Sequence, residues 1–173
     1  MKPNEASQLS LRLRASAVQQ HVATRNSPCS LWLTNVMTDN PTRRAEVSWE
    51  GGMRFRGGEV GGPATLLDAD GAEAPGPFIA LLLATGACAA SDIVSILAKM
   101  RVALADARVE LTATRRDEHP RRLVALHLVF HLRGEGLTEA NAARAVDLSL
   151  TKYCSVLASL AADATVTHAI RLG

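Results

Sequence analysis

The stretch that decides the fold is residues 77–101, PFIALLLATGACAASDIVSILAKMR. Its middle is apolar on every side, which predicts a helix that is buried all round. The proline at its start suits the first helical turn, and Lys99 and Arg101 suit the negative end of the helix dipole. Cys88 lies at the centre of this helix, and Cys154 follows much later in the phrase KYCSV.

Segments in which polar and apolar residues alternate flank this helix and predict strands. Three precede the helix and three follow it: residues 44–49, 53–56, 64–68, 107–115, 123–133 and 165–172. A second helix is predicted from Glu139, behind the capping residue Thr138, to about residue 150, with a further helical turn or two to about residue 162. The order is that of an α+β protein with helices laid on antiparallel sheet. Because one small sheet cannot cover so apolar a first helix, we expect a second copy of the chain to cover it.

Composition and charge exclude several classes of function. The net charge of +2 over 173 residues, with scattered basic residues, gives no patch for nucleic acid or an acidic membrane surface. The long apolar run contains Asp92 and has no second candidate span beside it, so we expect no membrane-spanning segment. Three cysteines and no visible signal peptide predict a cytoplasmic location, where paired thiols are more often catalytic, redox-sensing or metal-binding than structural.

Residues 1–42 differ in amino-acid composition from the rest of the chain. They are rich in Arg, Ser and Thr, contain one early acidic residue, and end in a stretch that holds Cys29. We interpret them as an accessory or disordered N-terminal segment, with a start at Met37 as a further possibility. The domain proper is predicted at residues 43–173.

The surroundings of Cys88 favour chemistry over simple packing. A lone cysteine in an apolar helix is most often a small hydrophobic residue. Here Gly86 and the neighbouring alanines predict open space around the sulfur, and Ser91 and Asp92 bring polar groups to the same helix face. Polar groups within an apolar helix indicate a pocket, although Asp92 is equally consistent with a structural carboxylate.

Cys154 has two polar neighbours in the sequence, Lys152 and Tyr153. Together with Cys88 it forms a pair of cysteines that each adjoin a predicted helix, and such a pair suits a cycle between dithiol and disulfide. The chain has no CxxC pair and no Cys/His set at zinc spacing, so no metal site is predicted. No glycine loop opens a helix as a phosphate-binding loop does, and no cofactor is predicted. Acyl transfer by a cysteine nucleophile would need a histidine as its base, and the sequence singles out no histidine for that role.

The phrases LLLATGACAASDIVSILAKMR and ARAVDLSLTKYCSVLASL, with EHPRR between them, resemble the OsmC/Ohr family over about residues 43–172. The resemblance implies an OsmC-like fold, an intertwined homodimer with two central helices wrapped by sheets of both chains, and a thiol peroxidase that reduces organic hydroperoxides. It implies that Cys88 attacks the peroxide and becomes a sulfenic acid, that Cys154 resolves it to a disulfide, and that an external dithiol reduces the pair.

The family also activates its thiolate with an arginine that a glutamate holds. The candidates here are Arg54 and Arg56. The glutamate is missing from the helix entry, which reads PFIA, and Asp68, Asp70 or Glu73 are possible substitutes. This departure keeps an alternative open: a non-enzymatic OsmC-like dimer that binds a small molecule or senses redox state.

Overall fold

The computed structural model describes residues 42–173. The interpretation of residues 1–42, including Cys29, falls outside these residues apart from Thr42. Within these residues the chain forms, in order, β1 (Ala45–Gly51), β2 (Arg54–Glu59), β3 (Ala64–Asp68), α1 (Pro77–Lys99), β4 (Ala103–Arg115), β5 (Leu123–Glu135), α2 (Glu139–Leu148), α3 (Ser155–Ala158) and β6 (Thr165–Leu172), with a π-helical turn between α2 and α3. The predicted α+β class is confirmed.

The first sheet is antiparallel, and its strands lie in the order β1 Ala45–Gly51, β2 Arg54–Glu59 and β3 Ala64–Asp68. The predicted hairpin turn is confirmed, because Gly51 and Gly52 have φ values of +101° and +57° that glycine adopts without a Cβ clash. Trp49 pairs with Phe55 across β1 and β2. Trp49 is 68% exposed and Val47 is 64% exposed, so the described chain leaves apolar side chains of this sheet in contact with solvent.

Helix α1 spans Pro77–Lys99, and its proline occupies the first turn as predicted. One side of the helix is buried: Leu82, Ile93 and Leu97 belong to the core. The opposite side is open, since Leu83 is 54% exposed and Ile79 is 49% exposed. A single chain therefore buries one side of α1, because β4 and the later helices cover the helix from that side. The open side is the one that we expect a second copy of the chain to cover.

By length and composition alone α1 could also cross a membrane, since its mean hydropathy reaches 1.9. A core helix passes the same test, and a single such helix is weak support for a span.

The second sheet carries the core on one face. Its strands are β4 Ala103–Arg115, β5 Leu123–Glu135 and β6 Thr165–Leu172, with β5 in the middle. Strands β4 and β5 are antiparallel, whereas β6 pairs parallel to β5, so this sheet is mixed and not purely antiparallel. The reason is the connection: the chain crosses from β5 to β6 through helices, and a parallel neighbour needs such a crossover. Leu128 and Phe130 of β5 are fully buried.

Helix α2 spans Glu139–Leu148, and Thr138 caps it as predicted, because its Oγ1 accepts a hydrogen bond from the N–H of Asn141 at 3.2 Å. The helix does not run on regularly to residue 150. It continues as a π-helical turn, Ser149–Tyr153, and after Cys154 the chain forms the short α3, Ser155–Ala158, which ends before the predicted residue 162.

Candidate thiol site

The structure brings the two predicted cysteines, Cys88 and Cys154, to one place. Cys88 lies in the middle of α1, and Cys154 lies between the π-helical turn and α3. The two Sγ atoms and a carboxylate oxygen of Asp92 all lie within 4.8 Å of one another. Both cysteines are free thiols in this structure.

Close packing of α1 on β4 sets the position of Cys88. Gly86 is buried, and a Cβ atom at this position would lie 2.7 Å from Cδ1 of Leu111. The glycine therefore lets the helix approach the sheet. The open space expected at Gly86 itself is absent, because Leu111 occupies the space beside this glycine.

The π-helical turn sets the position of Cys154. The N–H of Cys154 donates to the carbonyl of Ser149 at 2.8 Å, a bond that spans the wider π turn. Turns of this kind interrupt α-helices and are frequent at functional sites. The turn ends at Tyr153, so that Cys154 leaves the helical path and its sulfur faces α1.

The two sulfurs differ in accessibility. Cys88 is half-buried, and its Sγ lies 3.9 Å from Oγ of Ser155. Cys154 is 3% exposed, and its Sγ donates a weak hydrogen bond to the carbonyl of Thr85 at 4.0 Å. An electrophile from solvent therefore meets Cys88 before Cys154.

The pKa of Cys154 is raised to about 11, chiefly by burial. The hydrogen bond and charge of Cys88 and the charge of Asp92 act in the same direction, and the N–H of Leu157 opposes them. Cys154 is consequently a protonated thiol at neutral pH. A thiol attacks electrophiles as its thiolate. Cys154 is therefore poorly suited to make the first attack.

Asp92 is the acidic member of the cluster. Ser149 Oγ lies 3.2 Å from Oδ2 of Asp92 and 3.2 Å from the carbonyl oxygen of Ala89, so its single proton serves both acceptors. Desolvation raises the pKa of Asp92, and the hydrogen bond from Ser149 lowers it in part. The carboxylate is thus a stronger base than an exposed aspartate.

The two candidate arginines lie on the first sheet and are held by glutamates. Nη1 of Arg54 lies 2.9 Å and 3.0 Å from the two carboxylate oxygens of Glu73. Arg56 pairs with Glu50 through Nε and Nη2. Within residues 42–173 neither guanidinium is bonded to Cys88.

Asp68 shapes the loop that presents Glu73. Its buried carboxylate accepts hydrogen bonds from the N–H groups of Asp70, Ala72 and Glu73 at 3.0 to 3.1 Å. The Glu73 N–H lowers the pKa of Asp68 most, and the other two N–H groups and the charge of Arg54 act in the same direction against desolvation. Of the three carboxylates considered as substitutes for the missing glutamate, Glu73 is the one that contacts a candidate arginine.

A cavity of about 270 Å³ opens beside the thiol cluster, between α1 and α2. Asp92 and Tyr153 line its end near the cysteines, and Lys99 and Arg144 line it further along. Neither cation has an ion-pair partner among residues 42–173. The cavity therefore combines an apolar wall with two cations, which lie away from its thiol end.

Cys88, Asp92 and Cys154 are also residue types that could bind a metal ion. Structural zinc sites use four protein ligands, and no fourth such group of the described chain joins these three. The common three-ligand catalytic zinc sites include a histidine, which this cluster lacks. The donor set fits a thiol pair with a carboxylate better than it fits a zinc site.

Sequence reasoning missed two hydroxyl groups of the site, those of Ser149 and Ser155. Ser149 opens the π-helical turn, and only its position opposite Asp92 in the structure reveals the hydrogen bond. Ser155 directly follows Cys154 in the sequence, and this adjacency was the signal that could have identified its hydroxyl as part of the site.

Comparison with known proteins adds the family. A family model described as OsmC-like protein matches residues 69–169. Protein YhfA of Escherichia coli K12 is 43% identical over 126 residues, which are 72% of this chain and 94% of that relative. The matched segment of the family model contains both Cys88 and Cys154.

Solved structures share the fold. A hypothetical protein from Aquifex aeolicus VF5 is 24% identical with a TM-score of 0.70, covering 78% of this chain and 98% of that chain. An organic hydroperoxide resistance protein from Legionella pneumophila is 17% identical with a TM-score of 0.55, covering 75% and 96%. At these identities the likeness concerns the fold alone.

Proposed function

The chain belongs to the OsmC-like protein family, and from this premise we propose that it is a cysteine-based thiol peroxidase that reduces organic hydroperoxides. The observation that carries the proposal is the meeting of Cys88 and Cys154 within 4.8 Å, one half-buried and the other buried. The fold is shared with a protein described as an organic hydroperoxide resistance protein, so the proposed chemistry is compatible with this fold.

The proposed cycle has three balanced steps. The Cys88 thiolate attacks the O–O bond, takes up the outer oxygen as a sulfenic acid, and the alkoxide leaves as an alcohol after protonation. The Cys154 thiol then displaces the sulfenic hydroxyl, giving a Cys88–Cys154 disulfide and water. An external dithiol, which a reducing cytoplasm would supply, becomes a disulfide as it returns both cysteines to thiols.

The approach of the sulfurs is short. A disulfide has an S–S length of about 2.05 Å, so the two sulfurs must close by roughly 2.8 Å or less. The π-helical turn Ser149–Tyr153 adjoins Cys154 and is where we expect the chain to shift, because it interrupts the regular helix directly before this cysteine and such turns are frequent at functional sites.

We propose that the active form is a homodimer. The open side of α1 presents Ile79, Leu83 and Val94, which are 45% to 54% exposed. The first sheet presents its own exposed apolar residues, Val47 and Trp49. In a twofold dimer the first sheet of each protomer can cover the open side of α1 of the other. Such a dimer would remove both exposed apolar surfaces of each chain from solvent.

In such a dimer Arg54 is the cation we propose for the Cys88 thiolate. Glu73 holds its guanidinium and the Asp68 loop fixes Glu73. The first sheet of one protomer would cover α1 of its partner and bring the arginine towards the thiol. Arg56, paired with Glu50 within the first sheet, is the second choice.

The test is consumption of an alkyl hydroperoxide in the presence of a small dithiol, comparing wild type with Cys88→Ser and Cys154→Ser. Cys29→Ser is the control. We expect Cys88→Ser to lose the activity, by about 10²-fold or more, because the nucleophile is gone. Cys154→Ser should stop at the sulfenic acid unless the dithiol reduces it directly. Equal rates in all four proteins would refute the peroxidase.

One observation favours a second candidate, a redox-sensing or small-molecule-binding dimer without turnover. Within residues 42–173 Cys88 has a serine hydroxyl and no cation as its side-chain partner. A thiolate without a nearby cation forms less readily, so oxidation would be slow. A protein of this kind would bind a ligand in the cavity beside Asp92 and leave hydroperoxide unconsumed over many equivalents.

A further inference from the structure

The second step of the proposed cycle needs a proton acceptor. Cys154 must lose its proton to form the disulfide, and the thiol is buried away from solvent. At a pKa of about 11, about one Cys154 in 10⁴ is a thiolate at pH 7. Oxidation of Cys88 to the neutral sulfenic acid removes the contribution of its charge, but burial, the largest cause, remains.

We propose that Asp92 is the general base that takes this proton from Cys154 and then delivers it to the departing hydroxyl of the Cys88 sulfenic acid. This inference rests on the proposed function and deepens it. A carboxylate oxygen of Asp92 lies within 4.8 Å of both sulfurs, so one group reaches the thiol that loses the proton and the sulfur that loses the hydroxyl.

The distance suits a relay. Proton transfer needs a hydrogen bond of about 2.6 to 3.2 Å or one intervening water, and resting enzymes often hold such groups further apart. Closure of the sulfurs moves Cys154 towards α1, the helix that carries Asp92. Ser149 Oγ holds Oδ2, which orients the carboxylate while its other oxygen stays available.

The charged and titratable groups around Asp92 come from three elements. Cys88 shares its helix, Cys154 follows the π-helical turn, and the adjoining cavity adds Lys99, Arg144 and Tyr153. Desolvation raises the pKa of Asp92, which strengthens it as a base, and the hydrogen bond from Ser149 lowers that pKa in part.

The step balances without any further reagent. The Asp92 carboxylate accepts the Cys154 proton, the Cys154 sulfur displaces hydroxide from the Cys88 sulfur, and the Asp92 carboxylic acid protonates that hydroxide. The products are the Cys88–Cys154 disulfide, water and the original carboxylate. Two electrons pass from the thiol to the sulfenic acid, and no outside oxidant is needed.

A probe that does not involve peroxide isolates the deprotonation. Dithiobis(nitrobenzoate) reacts with Cys88 to give a mixed disulfide and one coloured thiolate, and Cys154 then displaces the second coloured thiolate. In a Cys29→Ser background, which leaves Cys88 and Cys154 as the remaining thiols, the second release measures resolution by Cys154. A chelator in the buffer removes adventitious metal.

We expect Asp92→Asn to keep the first release and to slow the second by about 10²-fold at neutral pH. The wild-type rate of the second release should be nearly constant from about pH 6.5 to 8, whereas the variant should gain about tenfold per pH unit, because hydroxide then removes the proton. Asp147→Asn, an exposed aspartate on α2, is the matched control and should match wild type.

Ser149→Ala separates base catalysis from architecture. It removes the hydrogen bond to Asp92 but keeps the carboxylate, so the flat pH profile should persist. A Ser149→Ala profile as steep as that of Asp92→Asn would show a structural role and overturn the inference. If Asp92→Asn does not fold, a wild-type rate that climbs tenfold per pH unit would overturn it equally.

The same measurements separate this inference from the peroxidase. No sulfenic acid and no disulfide after hydroperoxide, together with a base-dependent second release from dithiobis(nitrobenzoate), would refute the peroxidase and leave the role of Asp92 in thiol exchange intact. Hydroperoxide turnover with an Asp92→Asn variant that resolves at the wild-type rate would refute the role of Asp92 alone.

Discussion

Gly86 of α1 lies so close to Leu111 of β4 that a Cβ atom at position 86 would be 2.7 Å from the leucine Cδ1. We therefore expect Gly86→Val to lower the free energy of unfolding by about 1 to 3 kcal/mol through overpacking. The control is Ala143→Val, at an exposed position of α2. Chemical denaturation measures both, and Leu111→Ala should restore part of the loss in the double variant; equal stabilities for the two valine variants would contradict this packing.

The accessibility of the two thiols and the raised pKa of Cys154 predict an order of alkylation. At pH 8 Cys88 should be labelled by iodoacetamide first, because Cys154 is buried and its pKa is raised to about 11. A raised pKa means that the thiolate appears only as the pH rises. The labelling rate of Cys154 should accordingly grow about tenfold per pH unit and level off near pH 11.

Peptide mass spectrometry follows each cysteine separately in that experiment. Denatured protein provides the reference, since Cys154 should then titrate near the ordinary value of a thiol. If Cys154 in the native protein were labelled at pH 8 as fast as in the denatured protein, the claim that Cys154 is buried would be wrong.

Arg54 and Arg56 provide a matched pair of variants. We expect Arg54→Ala to slow oxidation of Cys88 by hydroperoxide by about tenfold or more, because a cation near the sulfur stabilises the attacking thiolate. Arg56→Ala should have the smaller effect. Glu73→Gln should reproduce part of the Arg54→Ala loss, since Glu73 holds that guanidinium. Stopped-flow oxidation measures all three, and a larger loss in Arg56→Ala would reverse the assignment.

The open side of α1 predicts a dimer. Leu83 is 54% exposed in a single chain, and we expect Leu83→Glu to convert a dimer into a monomer, because a buried interface would have to accept an unpaired charge. Light scattering after size exclusion gives the mass. Ala143→Glu, on the exposed side of α2, should leave the dimer unchanged. A wild-type monomer would contradict the proposal before any variant is made.

Composition and periodicity sufficed for much of the fold. The apolar run with its proline predicted α1, and alternation predicted all six strands, because both signals are local to the segments that form the elements. The parallel pairing of β6 with β5 could not be predicted in this way, since alternation says nothing about which neighbour a strand joins. The exposed side of α1 likewise depends on what packs against it.

Part of the candidate site could be predicted from the sequence. The phrases around Cys88 and Cys154 pointed to a pair of thiols, and the structure places their sulfurs within 4.8 Å. The π-helical turn that positions Cys154 depends on tertiary packing, and no simple sequence pattern predicts such a turn. The pairing of Arg54 with Glu73 joins a strand to a distant loop, so spacing alone could not select it over Arg56.

The most direct test of the proposed cycle is intact-mass and peptide mass spectrometry of the Cys29→Ser protein after a brief pulse of one equivalent of an alkyl hydroperoxide. A disulfide between Cys88 and Cys154, formed within the pulse and absent from Cys88→Ser, is the predicted result. Two free thiols after the pulse, or a sulfenic acid on Cys88 that never pairs with Cys154, would contradict it.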